Sequence, residues 1–425
     1  MNDCWSEAIA ERYSLALSDD LCDWFNGDWN RFDSSSEFCD FSVVPSLLNA
    51  APSCFWPGFM LPDTIPIIGN RFGDWLCLKV GNDGKCCEIV HWYHGGGDYI
   101  PFGKTLAESL LYDACQSASP EHQTWGEVSE ADPSKKNVLE WVAPRLDVSM
   151  SVLEEIISLY ARGQVIEATD RMLEKGWCTT VAARDRIDAA LSTPLRRKAD
   201  PKLAMRLGVT WEKEMNRWLF DTDLIPAEQR ERLHEILGAS SDGFNQDWEA
   251  AEREAHAVLA HRQDLGWAFD IAGWAALRKS QTATAIDWWW KGVQTSVFSD
   301  QSTRFRSHWF DRSFGKFAAQ QLHELRELLP NEIAMDPYWS ALIATDAGDA
   351  SQRITAHWIG RASQVGLSAG DCYDDWYRAG WDVGCHQVDL FAMILEQLTQ
   401  NGRQAGWEAK AKIAKTYQAR LAQRY

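Results

Sequence analysis

The sequence predicts an α+β N-terminal domain, a mixed or antiparallel sheet with flanking helices, followed by an all-α domain of helical-repeat-like build. Three observations carry this. Short β-rich runs crowd residues 65–92; a polar, proline-bearing stretch follows at 116–136; beyond it apolar residues recur almost throughout at helical spacing. The 425 residues leave room for two or three domains of about 100–200 residues each. The expected partition is 1–118 for the first domain, 119–136 for the linker and 137–425 for the helical domain.

Residues 5–26 read as helix, short break, helix. Ser18, Asp19 and Asp20 open the second helix, Leu21, Trp24 and Phe25 form its apolar stripe, and Gly27 closes it. Residues 28–60, rich in Asp, Ser, Pro and Phe, read as irregular and partly buried. Ile65–Gly69, Trp75–Val80 and Cys86–Trp92 follow as strands, and GNDG at 81–84 marks a hairpin between the last two. Gly73 before Asp74 permits a turn in which Asp74 accepts backbone hydrogen bonds. Thr105 to Cys115 is a helix with Thr105 as N-cap and Glu108 completing a capping box. Beyond the linker, helices are expected at 152–160 and 165–173. More follow at about 201–220, 226–237, 246–263, 267–278, 282–297, 315–329, 338–347, 352–365, 371–382, 387–400 and 403–422.

Composition narrows the function classes. Hydrophobic residues make up 45% of the chain, enough for a substantial core, and the 23 tryptophans are read mainly as anchors of helix packing. The net charge of −19 disfavours a phosphate backbone and an anionic membrane surface. Residues 1–115 hold six Lys and Arg against 17 Asp and Glu, so over half the excess lies on a quarter of the chain. That serves solubility or steers the domain toward a basic partner. Eleven scattered cysteines without a CxxC pair, no signal-like start and no run of ~20 apolar residues point to the cytoplasm with free, mostly buried thiols.

Two stretches, AERYSLALSDDLCDWFNGDWN and IPIIGNRFGDWLCLKVGNDGKCCEIVHWYHGGGDYIPFGKTLAESLLYD, resemble the SUKH superfamily, the Smi/Knr type of cell-wall regulators and bacterial immunity proteins. Glu11, Tyr13, Leu17, Leu21, Phe25, Asn26 and Gly27 match its opening. Gly73, Asp74, Leu76, Leu78, Gly84, His94, Leu106, Leu110 and Leu111 match its core in order. Ser18 departs from the family's usual proline. The resemblance covers roughly residues 5–115. It implies a six-stranded or similar sheet with flanking helices, and a non-catalytic role in binding another protein, such as a nuclease or deaminase toxin. In the second domain Phe269, Ala272, Gly273, Ala276, Ala285, Trp289 and Gly292 fall at the spacing of a tetratricopeptide unit, although no 34-residue period persists.

His91 and His94, with Glu88 and Asp98 nearby, are the best metal candidates, but no HExxH or Cys/His framework accompanies them, and neither metal nor cofactor is expected. Gly95–Gly97 lacks the ending of a phosphate loop, and Gly103-Lys104-Thr105 lacks the preceding glycine. Cys87 with His91 or His94 is read as one of two vicinal buried cysteines rather than a thiol–base pair. No GxSxG elbow occurs. Trp288, Trp289 and Trp290 spread three indoles around one helix, and at most two can face one partner.

The leading expectation is therefore a non-enzymatic protein that neutralises a basic toxin through an acidic surface, with Asp28, Asp33, Asp74, Glu88, His94 and Asp98 as surface candidates. The second is an adaptor that binds through Trp288, Trp289 and Trp290. The third is an enzyme with a site around Glu88, His91, His94 and Asp98. Nucleic acid and membrane are not expected partners, and the sequence leaves the oligomeric state open.

Overall fold

The computed structural model describes residues 4–27, 32–33, 36–41, 43–58, 60–70, 72–120, 135–238, 244–299, 312–344, 350–385 and 387–424. The expected linker at 119–136 lies mostly outside these residues.

Helices α1 (Trp5–Tyr13) and α2 (Asp19–Asn26) form as expected. Asn26 ties them together, accepting the Ser6 N–H at 2.9 Å and donating to Ser6 Oγ at 2.9 Å. A two-residue strand β1 (Phe32–Asp33) and a short 3-10 turn (Val44–Leu48) lie in the irregular segment, which is largely core: Phe38, Val44, Leu47 and Met60 are fully buried. Then come β2 (Thr64–Gly69), β3 (Trp75–Val80), β4 (Cys86–Trp92) and β5 (Tyr99–Gly103). They form one antiparallel meander in chain order. The GNDG turn joins β3 to β4, with Gly84 at φ +78°. The main sheet thus has four strands among the described residues. β1 pairs separately, in parallel, with β6 (Lys136–Asn137).

Helix α3 (Leu106–Ala118) starts where expected, Thr105 Oγ1 accepting the Glu108 N–H at 3.2 Å. The Glu108 carboxylate takes the Lys104 and Cys178 amides, at 3.2 and 2.9 Å, so it also ties α3 to a segment 70 residues later.

The remaining helices are α4 (Leu139–Arg145), α5 (Met150–Ala161), α6 (Val165–Glu174), α7 (Thr179–Leu191), α8 (Pro194–Lys198), α9 (Pro201–Leu207), α10 (Asn216–Phe220), α11 (Ala227–Leu237), α12 (Trp248–Leu259), α13 (Gly266–Arg278), α14 (Thr282–Val293), α15 (Phe317–Glu324), α16 (Asn331–Ala334), α17 (Pro337–Ile343), α18 (Ala350–Ala362), α19 (Ala369–Trp381), α20 (Val388–Gln404) and α21 (Glu408–Arg424). The sequence spacing places most of these helices, with shifts at the ends, but not α4, α7, α8 or α16. Residues 201–220, expected as one helix, are broken by Gly208 in the left-handed region and a π turn at Trp211–Met215.

The compact units follow a different partition from the expected one. Residues 1–182 and 351–425 form one unit, and 183–350 the other. In the first, the chain's last helices pack on the sheet instead of extending a separate helical domain. Tyr417 Oη donates to the Thr64 carbonyl at 3.2 Å, Trp381 Nε1 to the Met60 carbonyl at 3.0 Å, and Tyr417 sits edge-on to Phe55 at 4.7 Å. These aromatics carry both apolar area and a donor to backbone groups that would otherwise be buried without partners.

The named secondary-structure elements of the second unit are all helices. Its α13 and α14 pair as the spacing predicts. Gly273 lets the indole of Trp289 approach so closely that a Cβ there would stand 2.5 Å from Trp289 Nε1, and Gly292 similarly admits Phe269. The ring of Phe220 meets Trp248, Trp274 and Phe317 at 5.2–5.5 Å. Asp221, 1% exposed, accepts from Trp274 Nε1 at 2.7 Å and pairs with Arg278, so the buried charge has its partners.

Candidate functional site

The meander places the end of β2, the start of β3 and the end of β4 at one end of the sheet. Polar residues converge there. Asn70 follows β2 and Asp74 precedes β3. The turn between them closes on the Asn70 side chain, whose Oδ1 accepts the N–H of Phe72 at 2.9 Å and of Asp74 at 2.8 Å. Gly73, at φ +97°, supplies the left-handed step this turn needs. The turn acceptor is thus Asn70, where the sequence suggests Asp74.

Asp74 instead reaches across to the end of β4. Its Oδ1 accepts the backbone N–H of His94 at 2.8 Å and lies 2.7 Å from His94 Nδ1. Burial would raise the carboxyl pKa, but the nearby imidazoles of His91 and His94 and the His94 amide outweigh it and hold the group well below the ordinary carboxylate range. Asp74 is therefore a buried anion, 7% exposed.

His91 lies within β4, opposite Leu76 of β3 and Ile100 of β5, and is 2% exposed. Tyr93 stacks on its ring at 3.8 Å, with Phe38 and Phe102 edge-on at 4.7 and 5.0 Å. Its Nε2 stands 3.8 Å from Asp74 Oδ2, too far for a direct hydrogen bond. Neither ring nitrogen has a hydrogen-bond partner among the described residues.

The second acid is Glu37, half-buried. The amide of Asn70 joins it to Asp74, donating to Glu37 Oε1 at 2.5 Å and to Asp74 Oδ2 at 3.1 Å. The segment is pinned to α3, where the Glu37 and Phe38 amides donate to Ser117 Oγ and Asp113 Oδ2 at 3.0 and 3.2 Å. One ligand atom each from Glu37, Asp74 and His91 lies within 4.8 Å of the others. Two carboxylates and an imidazole so placed offer the donor types that divalent cations take.

The structure redistributes the expected site residues. His91, His94 and Asp74 come together, whereas Glu88 and Asp98 do not join them. Glu88 sits three residues before His91 on β4, so the pleat turns its side chain to the opposite face. Asp98 lies in the loop, its carbonyl accepting the Tyr93 N–H at 2.8 Å. As parts of an acidic outer surface, Asp74 and Glu88 must be withdrawn, because both are buried. His94 and Asp98 remain accessible, at least in part. Asp28 lies outside the described residues; Asp33 has its backbone in β1.

Trp289 is also a correction: it is wholly buried against Gly273 and not available to a partner, while Trp288 and Trp290 are half-buried. Trp288 packs on His256 at 5.3 Å, with Lys291 Nζ 4.7 Å from its ring centroid. The vicinal cysteines are not both buried. Cys86 is half-buried and Cys87 exposed, its thiol donating to the Lys79 carbonyl at 3.3 Å.

Sequence reasoning missed Asn70 and Glu37. Asn70 was detectable as the head of an Asn-x-x-Gly turn. Glu37 carries no local signal, because only the fold brings it to Asp74.

Comparisons with family models, with curated proteins and with solved structures found no match to this chain. No helix among the described residues is long and apolar enough to cross a membrane.

Proposed function

We propose that the protein acts by binding another protein, a basic one, in the manner of the SUKH-type immunity proteins that residues 5–115 resemble. The observation that supports this reading best is the acidity of the paired helices α1 and α2. They carry Glu7, Glu11, Asp19, Asp20 and Asp23 against the single base Arg12. Glu7, Glu11 and Asp19 are exposed, Asp23 is paired with Arg145, and Arg12 donates to the Asn49 and Ala50 carbonyls. A nuclease or deaminase presents a basic groove to nucleic acid, and an anionic face of this kind is complementary to it. Such complementarity speeds encounter and selects the partner more than it adds affinity.

The test uses the full-length chain with a basic nuclease or deaminase domain encoded beside it. The expected result is a complex whose affinity falls steeply with salt and drops at least about tenfold in the double variant Glu7→Lys/Asp19→Lys. A complex indifferent to both changes, or no complex, overturns the reading. A second reading rests on Trp288 and Trp290, which leave indole surface accessible on α14. If binding disappears in Trp288→Ala alone, the helical unit is the working surface and the protein is an adaptor.

A further inference from the structure

We infer that Glu37, Asp74 and His91 form a binding site for one divalent transition-metal ion, a set of two carboxylates and one imidazole at the end of the sheet. This inference does not depend on the binding role proposed above. Three observations meet at one point. The ligand atoms lie within 4.8 Å of one another. The ring of His91 is buried, and both of its nitrogens lack a hydrogen-bond partner among the described residues. Its Nε2 faces Asp74 Oδ2 at 3.8 Å, a separation without a hydrogen bond.

A buried nitrogen without a partner is unfavourable, and coordination would give one of the two its partner. Ligands around a tetrahedral Zn²⁺-like ion, at about 2.0–2.2 Å each, stand roughly 3.3 Å apart. The 3.8 Å and longer separations therefore need to close by only about 0.5–1.5 Å. Side-chain rotation of the half-buried Glu37 supplies most of that. Outer contacts are in place: His94 and its amide hold Asp74 Oδ1, which leaves Oδ2 turned toward His91. Asn70 already sets the two carboxylates side by side. Glu37 is also the side from which an ion enters, being the least buried of the three. Mixed carboxylate and imidazole donors suit Mn²⁺, Fe²⁺ or Zn²⁺.

Mn²⁺ is the probe of choice, because the chain's eleven thiols hold it weakly compared with Zn²⁺. The full-length protein, stripped with chelator, is titrated with Mn²⁺ and the free ion followed by electron paramagnetic resonance. The bound ion is then examined for nitrogen modulation. The expected result is one ion per chain with one imidazole nitrogen coordinated. In Glu37→Gln the dissociation constant rises at least about tenfold, and in His91→Gln the nitrogen signal is lost. No binding up to millimolar Mn²⁺ overturns the inference. So does binding that is unchanged in Glu37→Gln. If His91→Gln fails to fold, as judged by circular dichroism, Glu37→Gln decides alone, since its side chain is half-buried and its loss leaves no large cavity.

Discussion

The contact between α13 and α14 allows a paired test in which one substitution has opposite signs at two helical glycines. At Gly273 an added methyl would stand 2.5 Å from Trp289 Nε1 and 2.7 Å from Cδ1 and Cε2. Trp289 is wholly buried, so its rigid indole has nowhere to retreat. Overpacking of this kind costs about 1–3 kcal/mol, while replacing a helical glycine by alanine returns roughly 0.5–1 kcal/mol. Gly273→Ala should therefore destabilise by about 1–2 kcal/mol. At Gly360, exposed within α18, an added methyl meets nothing within 4 Å, so Gly360→Ala should stabilise by about 0.5–1 kcal/mol. Urea unfolding followed by circular dichroism reads both. With a slope of about 2 kcal/mol per molar urea, Gly273→Ala lowers the midpoint of its transition by roughly 0.5–1 M. Because the chain holds two compact units, separate transitions are fitted if they appear. If Gly273→Ala raises stability as Gly360→Ala does, the helices do not meet at the glycine and the packing argument fails.

Further outcomes follow from the same contacts. Trp289→Ala should cost about 3–5 kcal/mol and Trp288→Ala far less, because only the first opens a cavity; equal losses in thermal unfolding would contradict this assignment. Thr105→Ala removes the acceptor for the Glu108 amide and should cost about 1 kcal/mol, restored largely by Ser at the same position. In native thiol labelling Cys4 and Cys87 should react first, whereas Cys54, Cys77, Cys115 and Cys178 react only after unfolding. Burial pushes Cys54 up to about 11, which slows it further, and rapid labelling of Cys77 or Cys115 would refute the core arrangement. Asp375, 4% exposed, has its pKa raised by burial against the opposing pull of Arg361 and Arg378. A raised carboxyl stabilises the fold below its unfolded pKa and loses that contribution as pH rises through the folded value. Asp375→Asn should thus compare better with the parent at pH 7 than at pH 4, and the reverse trend in unfolding midpoints would sink the assignment.

Much of this molecule was legible before folding. Apolar spacing locates most of the helices, though not α4, α7, α8 or α16, because a helix must turn one stripe inward whatever its neighbours are. The GNDG turn and Thr105 act through their own backbone, so they mark the β3–β4 hairpin and the start of α3 without reference to the rest of the chain. The spacing of Gly273, Trp289 and Gly292 likewise anticipates the pairing of α13 with α14, since both helices are adjacent in sequence. What depends on distant partners was not legible. Periodicity places Trp381 and Tyr417 on helices, but does not show that they close over Met60 and Thr64, more than 300 residues earlier. The partition into units follows from those contacts. The same holds for the polar cluster: His91 and Asp74 stand out in the sequence, yet Glu37 joins them only because Phe38 and its neighbours are pinned to α3. Among Trp288, Trp289 and Trp290 the sequence shows three indoles, and only the tertiary structure decides that the middle one fills the space left by a glycine on the facing helix. Local backbone preferences are written residue by residue, whereas which surfaces meet is settled by the packing of the whole chain.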